Sequence, residues 1–164
     1  MEINECINYL LTVSQNKVFQ HFGEKLKKFG ITPAQYGVLN CLWKNSPQTP
    51  KQIGNILFLE ASSVSGILDR MQKNNLIIRE LDPNNRRNIL IYPTEKALSM
   101  KSEIENIIKE LNSKFWSNFS PSEREALNKL FSTIITKNLD MKRDWKTSKF
   151  ISLKLVWFNN QNSN

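Results

Sequence analysis

Residues 61–94 read ASSVSGILDRMQKNNLIIRELDPNNRRNILIYPT, and the spacing of apolar residues in that stretch decides the fold. Val64, Ile67, Leu68 and Met71 recur at helical spacing, Asn74-Asn75 interrupts the pattern, and two β-rich runs follow over 76–81 and 88–92. Between the runs, Asp82-Pro83-Asn84-Asn85 makes a turn. Proline presets φ there, and aspartate is able to hydrogen-bond onward. Arg86 and Arg87 follow at once. A helix feeding a hairpin with a basic tip suits a nucleic-acid reader, with the helix in a major groove and the tip on phosphates or in a minor groove. Taken alone, the stretch leaves open a helix and hairpin that merely pack together.

Moving outward toward the N-terminus, Thr49 caps a short helix, Pro50–Leu57, with Ile53, Ile56 and Leu57 expected to face inward. Residues 58–60 form a tight connection to the helix at Ala61, so the two make a helix-turn-helix candidate. Ser62, Ser63 and Ser65 open the second helix, where small hydroxyl side chains allow close approach to base edges. Earlier, Thr32 and Pro33 are an N-cap and first helical residue. The helix they start buries Tyr36, Val38, Leu39, Leu42 and Trp43. The first segment, 3–29, shows helical apolar spacing throughout and ends at Gly30, a common residue after a helix. One helix of roughly 25 residues at ~1.5 Å each outruns a small core. Part of its stripe is therefore expected to pack on a second copy.

On the C-terminal side, Asn75 suits the left-handed conformation that stops a helix. Arg86 and Arg87, if extended, point to opposite faces. One is free to pair with Asp82 while the other meets solvent or phosphate, and which does so stays open. In the return strand, Ile89 and Ile91 alternate with Leu90 and Tyr92, which suggests partial cover on both sides. Pro93-Thr94-Glu95 is a strand stop and helix start. Residues 97–119 read as helix, with Ile104, Ile107, Ile108, Leu111 and Phe115 as the stripe. Ser120-Pro121-Ser122-Glu123 starts another helix, carrying Leu127, Leu130, Phe131, Ile134, Ile135 and Leu139. These two apolar helices, with the first, point to a symmetric dimer.

The fold class that results is mainly α with a small β-hairpin wing. It divides into an N-terminal dimerisation helix (1–30), a helix-turn-helix with its hairpin (31–96), C-terminal dimerisation helices (97–140) and an extension (141–164). The extension is basic at first, then carries Phe150, Ile151, Leu153, Leu155, Val156, Trp157 and Phe158, too apolar for a purely disordered tail. Packing on the dimer helices, covering a pocket and facing a membrane all stay open for it.

Among 164 residues, 40% are apolar, and 23 Lys and Arg outnumber 15 Asp and Glu for a formal net charge of +8. That surplus favours polyanions without choosing among DNA, RNA and an anionic surface. The longest apolar run is too short to span a bilayer, and the N-terminus carries acidic residues where a secretory signal is basic. Two cysteines, Cys6 and Cys41, lack a CxxC spacing, so a cytoplasmic location is expected. An enzyme is not indicated: His21 is the sole histidine, and no glycine-rich phosphate loop occurs.

The ordered combination of LDRM (68–71), NNLI (74–77), DPNNRR (82–87) and PTE (93–95) resembles the MarR family of winged helix-turn-helix transcriptional regulators, over about residues 5 to 140. The resemblance implies a homodimer held by the first and last helices. It also implies a recognition helix (61–74) in the major groove of double-stranded DNA and a wing tip (82–87) at the adjacent minor groove. On it, Ser62, Ser63, Ser65, Arg70, Lys73, Arg79, Asn84, Asn85, Arg86 and Arg87 are the DNA-binding candidates. Release by a small aromatic or phenolic effector is a further implication, with Phe19, Phe22 and Tyr36 as pocket candidates. Other members respond to oxidation of a cysteine. Cys6 lies near that position but about two residues out of register, so a core or interface role is expected for it.

The chain departs from the family pattern at Asn85 (usually aspartate), Asn75 (usually glycine), Pro93 (usually leucine) and Ala97 (usually glycine). One histidine and two distant cysteines argue against a metal site, and no cofactor is expected. The expected function is a DNA-binding regulator, a repressor in the first instance, on a pseudo-palindromic operator. The alternative is an interaction or ligand-binding protein whose winged head no longer reads DNA.

Overall fold

The computed structural model describes residues 2–136. The chain divides into two compact units, the first running through Lys114 and the second starting at Phe115. Its helices are α1 (Ile7–Leu26), α2 (Pro33–Lys44), α3 (Pro50–Leu57), α4 (Ala61–Lys73), α5 (Glu95–Ser99), α6 (Lys101–Trp116) and α7 (Pro121–Thr136), with β1 (Ile77–Asp82) and β2 (Asn85–Pro93) between α4 and α5. Leu139 and the 141–164 extension lie outside the described residues.

The helix starts follow their capping chemistry. Thr32 and Gln35 form a reciprocal capping box at α2, with Thr32 Oγ1 accepting from the Gln35 amide and Gln35 Oε1 accepting from the Thr32 amide. Thr49 and Gln52 repeat it at α3, and proline occupies the first turn of both helices. Thr94 caps α5 by accepting from the Ala97 amide. In the second unit, Ser120 and Glu123 form the same box at α7.

The single first helix expected over 3–29 is in fact three pieces. Glu5 reaches back to the Glu2 amide and closes a 3-10 turn, Ile3–Glu5. The backbone is extended at Cys6, and α1 starts only at Ile7. At the other end Lys27–Phe29 tightens into a second 3-10 turn, and Gly30 stops it at φ 65°. The helix expected over 97–119 is also divided, at Met100.

The core of the first unit is assembled around α2. Val38, Leu39 and Leu42 meet Leu26 of α1, Ile53 of α3, Val64, Ile67, Leu68 and Met71 of α4, Ile91 of β2 and Ile104 of α6, all buried. Gly54 makes the α3–α4 approach possible, since a Cβ there would stand 3.1 Å from the Leu59 carbonyl oxygen and 3.2 Å from Val64 Cγ2. That approach sets the inward face of α3. It is centred between Ile53, Gly54 and Leu57, so Ile56, expected inside, falls outside it and is exposed.

The hairpin is antiparallel, with Ile77 opposite Pro93 and Leu81 opposite Ile89 at its ends. Gln48, in the α2–α3 connection, adds a third backbone partner. Its amide and carbonyl exchange hydrogen bonds with Ile91 at 3.3 and 2.8 Å, while its side-chain Nε2 donates to the Cys41 and Asn45 carbonyls. One buried residue thus joins the wing through its backbone and the end of α2 through its side chain. In β2 only the inner half is covered: Ile91 is buried, whereas Ile89, expected to be partly covered, is exposed.

Candidate nucleic-acid interface

α4 presents two faces that its sequence separates cleanly. Val64, Ile67, Leu68 and Met71 are buried, while Ser62, Ser65, Arg70 and Lys73 are exposed and Ser63 is half-buried. The serines occupy the first two turns. Arg70 and Lys73 lie in the last turn, where a cation also complements the helix dipole. Asn75 follows with φ 55°, as expected for the residue that turns the chain into the wing. The end of α4 is gripped from α5 and the residue before it. Thr94 Oγ1 donates to the Asn75 carbonyl at 2.9 Å and Lys96 Nζ to the Asn74 carbonyl at 3.0 Å.

The wing tip is built by side-chain amides and carboxylates acting on backbone. Asp82 Oδ1 accepts from the Asn84 amide at 2.8 Å, and Asn85 Oδ1 accepts from the Arg87 amide at 3.2 Å. After Leu81–Ile89 the pairing jumps to Asp82–Asn85, so residues 86–88 are an insertion in β2 with no opposite number in β1. Arg86 and Arg87 fall in that bulge and are exposed. The pairing of one of them with Asp82, left open by the sequence, does not form: Asp82 is engaged with Asn84, and the ion pairs among the described residues do not include Arg86 or Arg87. Asn85 supplies the acceptor that shapes the bulge, a task its side-chain carbonyl performs without adding an anion beside the arginines.

Arg79 is placed differently from the tip arginines. It is half-buried, its Nη2 donates to Asp69 Oδ1 of α4 at 2.6 Å, and its buried Nε has no partner among the described residues. A groove of about 640 Å³ runs between α3, α4 and the wing, lined by Lys51, Asn55, Ala61, Ser65, Arg79 and Ile89 among others. The sequence pattern does not single out Lys51, Asn55 or Asp69. Asp69 stands beside Arg70 in the LDRM motif, but nothing in the linear pattern shows that it reaches Arg79 ten residues on.

The pocket candidates are brought together in part. Phe22 and Tyr36 meet edge-to-face at 5.2 Å, and Tyr36 meets Trp43 at 6.4 Å. Asn40 Nδ2 donates to the Tyr36 hydroxyl at 2.8 Å, and the buried Trp43 Nε1 has no partner among the described residues. Phe19 is half-buried on α1. His21 is exposed and lines a separate open groove of about 530 Å³ with Glu24, Lys28 and Glu110. Cys6 is a free, half-buried thiol at the N-cap of α1, and Cys41 is buried, with desolvation raising its pKa against a smaller opposing effect of Lys44. Among the described residues no three His, Cys, Asp or Glu side chains gather to hold a metal, and no helix is long and apolar enough to cross a membrane.

Comparison with known proteins places this architecture. The family model described as MarR family matches residues 31–89, the span from α2 to the wing. The transcriptional regulator MgrA of Staphylococcus aureus is 31% identical over 134 residues, covering 81% of this chain and 90% of MgrA. The chain belongs to the MarR family. Membership makes it a DNA-binding transcriptional regulator of the family's dimeric kind, and not an enzyme. Solved MarR-like folds agree in architecture. MepR of S. aureus, in complex with DNA, superposes with a TM-score of 0.75 at 22% identity, covering 80% of this chain and 97% of that one. BpsR of Bordetella bronchiseptica, whose DNA binding is regulated by 6-hydroxynicotinic acid, gives 0.77 at 19% identity, covering 84% and 99%.

Proposed function

We propose that this MarR-family protein is a repressor that binds a pseudo-palindromic operator as a homodimer. The serine face of α4 enters the major groove, and Arg86 and Arg87 reach the adjacent minor groove or its phosphates. The observation that carries the reading is the pairing of an exposed Ser62–Ser65 face with two wing arginines that no carboxylate among the described residues neutralises. Arg70, Lys73 and Asn84 add polar contacts at the edges of that surface, and Arg79 orients the wing through Asp69. For the dimer, support comes from exposed apolar side chains on α1 (Ile7, Leu10, Leu11 and Val18) and, separately, on α7 (Leu130, Phe131 and Ile135). Two copies would hold their recognition helices about one DNA turn apart.

A small aromatic or phenolic acid is the proposed releasing ligand. The Phe22–Tyr36–Trp43 chain offers ring faces, and the buried Trp43 Nε1 offers a hydrogen-bond donor that has no acceptor among the described residues. The regulation of BpsR by 6-hydroxynicotinic acid supports the same chemical class. Enrichment of genomic fragments on the purified protein, followed by sequencing, tests the DNA reading. A recurring inverted repeat upstream of genes that are derepressed on deletion is expected. Absence of sequence-selective enrichment would instead favour a winged head that has lost DNA recognition. With an operator in hand, hydroxylated aromatic carboxylic acids are screened for release, and Trp43→Phe is expected to blunt the response.

A further inference from the structure

The wing leaves apolar side chains in solvent that neither the core nor the basic tip accounts for. Leu81 and Ile89 are directly opposed, the last regular pair before the bulge, so their side chains share one face of the ribbon. Strand alternation puts Arg79 with Ile91, and Ile77 with Pro93, on that same face. The inner members fix its direction: Ile77 and Ile91 are buried, and Arg79 reaches Asp69 on α4. The face that packs on the body therefore continues outward past the body's edge. There Leu81 is 65% and Ile89 41% exposed. Ile89 borders the same groove as Lys51, Asn55 and Ser65. A solvated hairpin face is ordinarily polar, and an apolar one is a hazard for edge pairing.

We propose that Leu81 and Ile89 form an uncharged foot of the wing that packs on the deoxyribose edges of double-stranded DNA. This rests on the DNA-binding reading above. The occupant follows from continuity and charge. The pair lies between Ser65 and Lys51 across the groove and Arg86 and Arg87 beyond the bulge. A duplex held by α4 on one side and by the arginines on the other runs past the stem that carries the pair. Cations on both flanks suit a polyanion whose backbone alternates charged phosphate with apolar sugar. Two consequences follow. A sugar contact releases no counterion, so it adds nothing to the salt dependence of binding. It also carries no base identity, so it strengthens every sequence alike.

The test compares Leu81→Ser/Ile89→Ser with Arg86→Ala/Arg87→Ala by fluorescence anisotropy. An enriched operator and a scrambled duplex are each titrated over a salt series. The serine variant is expected to bind both duplexes about tenfold more weakly with the wild-type salt slope, and the arginine variant to show a reduced slope. Leu81→Ile/Ile89→Val is expected to bind as wild type. Should the serine variant melt early, Ile89→Thr keeps the β-branch and is expected to weaken binding about threefold on both duplexes. Wild-type affinity in the serine variants overturns the proposal. So does a loss confined to the operator, a loss accompanied by a lower slope, or a change in sedimentation showing that the pair joins protein to protein. A wild-type protein that binds neither duplex removes the DNA-binding reading itself, whereas wild-type binding with unaffected serine variants removes only the foot.

Discussion

Arg79 of β1 and Asp69 of α4 are joined by an ion pair of 2.6 Å that fixes the wing against the recognition helix. The pair bridges the two elements expected to meet adjacent grooves of one duplex, so its geometry sets how far apart the serine face and the arginine tip are held. Asp69 is about half exposed, which limits the contribution to stability to about 0.5–1 kcal/mol. Asp69→Ala is expected to cost about that much in chemical denaturation and to weaken operator binding, although alanine removes no positive charge. Asp69→Ala/Arg79→Ala should be less destabilised than the two single losses added together, as a double-mutant cycle would read. Strict additivity would show that the two side chains do not interact in solution.

Arg86 and Arg87 stand in a bulge, exposed and without an ion pair among the described residues. Replacing each with alanine is expected to leave the melting temperature unchanged and to lower the slope of log K against log salt by about one for each phosphate no longer neutralised. A slope equal to that of the wild type would mean that the wing tip does not meet phosphate.

Gly54 sits at a close approach of α3 to the connection that follows it and to Val64 of α4. Its missing Cβ would meet a backbone oxygen at 3.1 Å, which cannot rotate away as a flexible side-chain tip can. Gly54→Val is expected to destabilise the first unit by about 1–3 kcal/mol and to weaken DNA binding by tilting α4. Gly66, with open space around it, is the control: Gly66→Ala is expected to hold or raise thermal stability.

Glu123 has its pKa lowered, chiefly by the Ser120 amide and then by the Ser120 hydroxyl, both of which donate to its carboxylate. A folded-state value below the unfolded one means that the stabilisation is complete above the ordinary carboxylate range. It is lost as pH falls through the depressed value. Glu123→Gln should therefore lower α7 helicity at neutral pH and converge with the wild type in acid. Circular dichroism across an acid titration checks this, and a constant difference at all pH values would refute it.

Much of the architecture was legible in the linear pattern because it rests on local chemistry. Thr32-Pro33 and Thr49-Pro50 start helices through contacts three residues long, and Asn75 takes the left-handed turn because its own short side chain tolerates it. The apolar spacing of Val64, Ile67, Leu68 and Met71 assigned the buried face of α4 correctly, since a helix of that length has one face toward the core. The LDRM, NNLI and DPNNRR motifs carried the family resemblance that comparison established.

What the sequence by itself determined was therefore the order of elements, their caps and the family. Only the tertiary structure decided which polar groups meet. Packing of β1 beside α4 brings Arg79 onto Asp69, a partner the linear pattern does not show, and Asp82 gave its carboxylate to a backbone amide instead of to Arg86 or Arg87. Gln48 gave no local signal of its bond to Ile91, and Ile56 lost its expected burial to the close approach that Gly54 permits. The physical reason is common to these cases. Caps and periodicity depend on neighbours within a turn, whereas ion pairs, bulges and the limits of a buried face depend on where distant segments stop against one another.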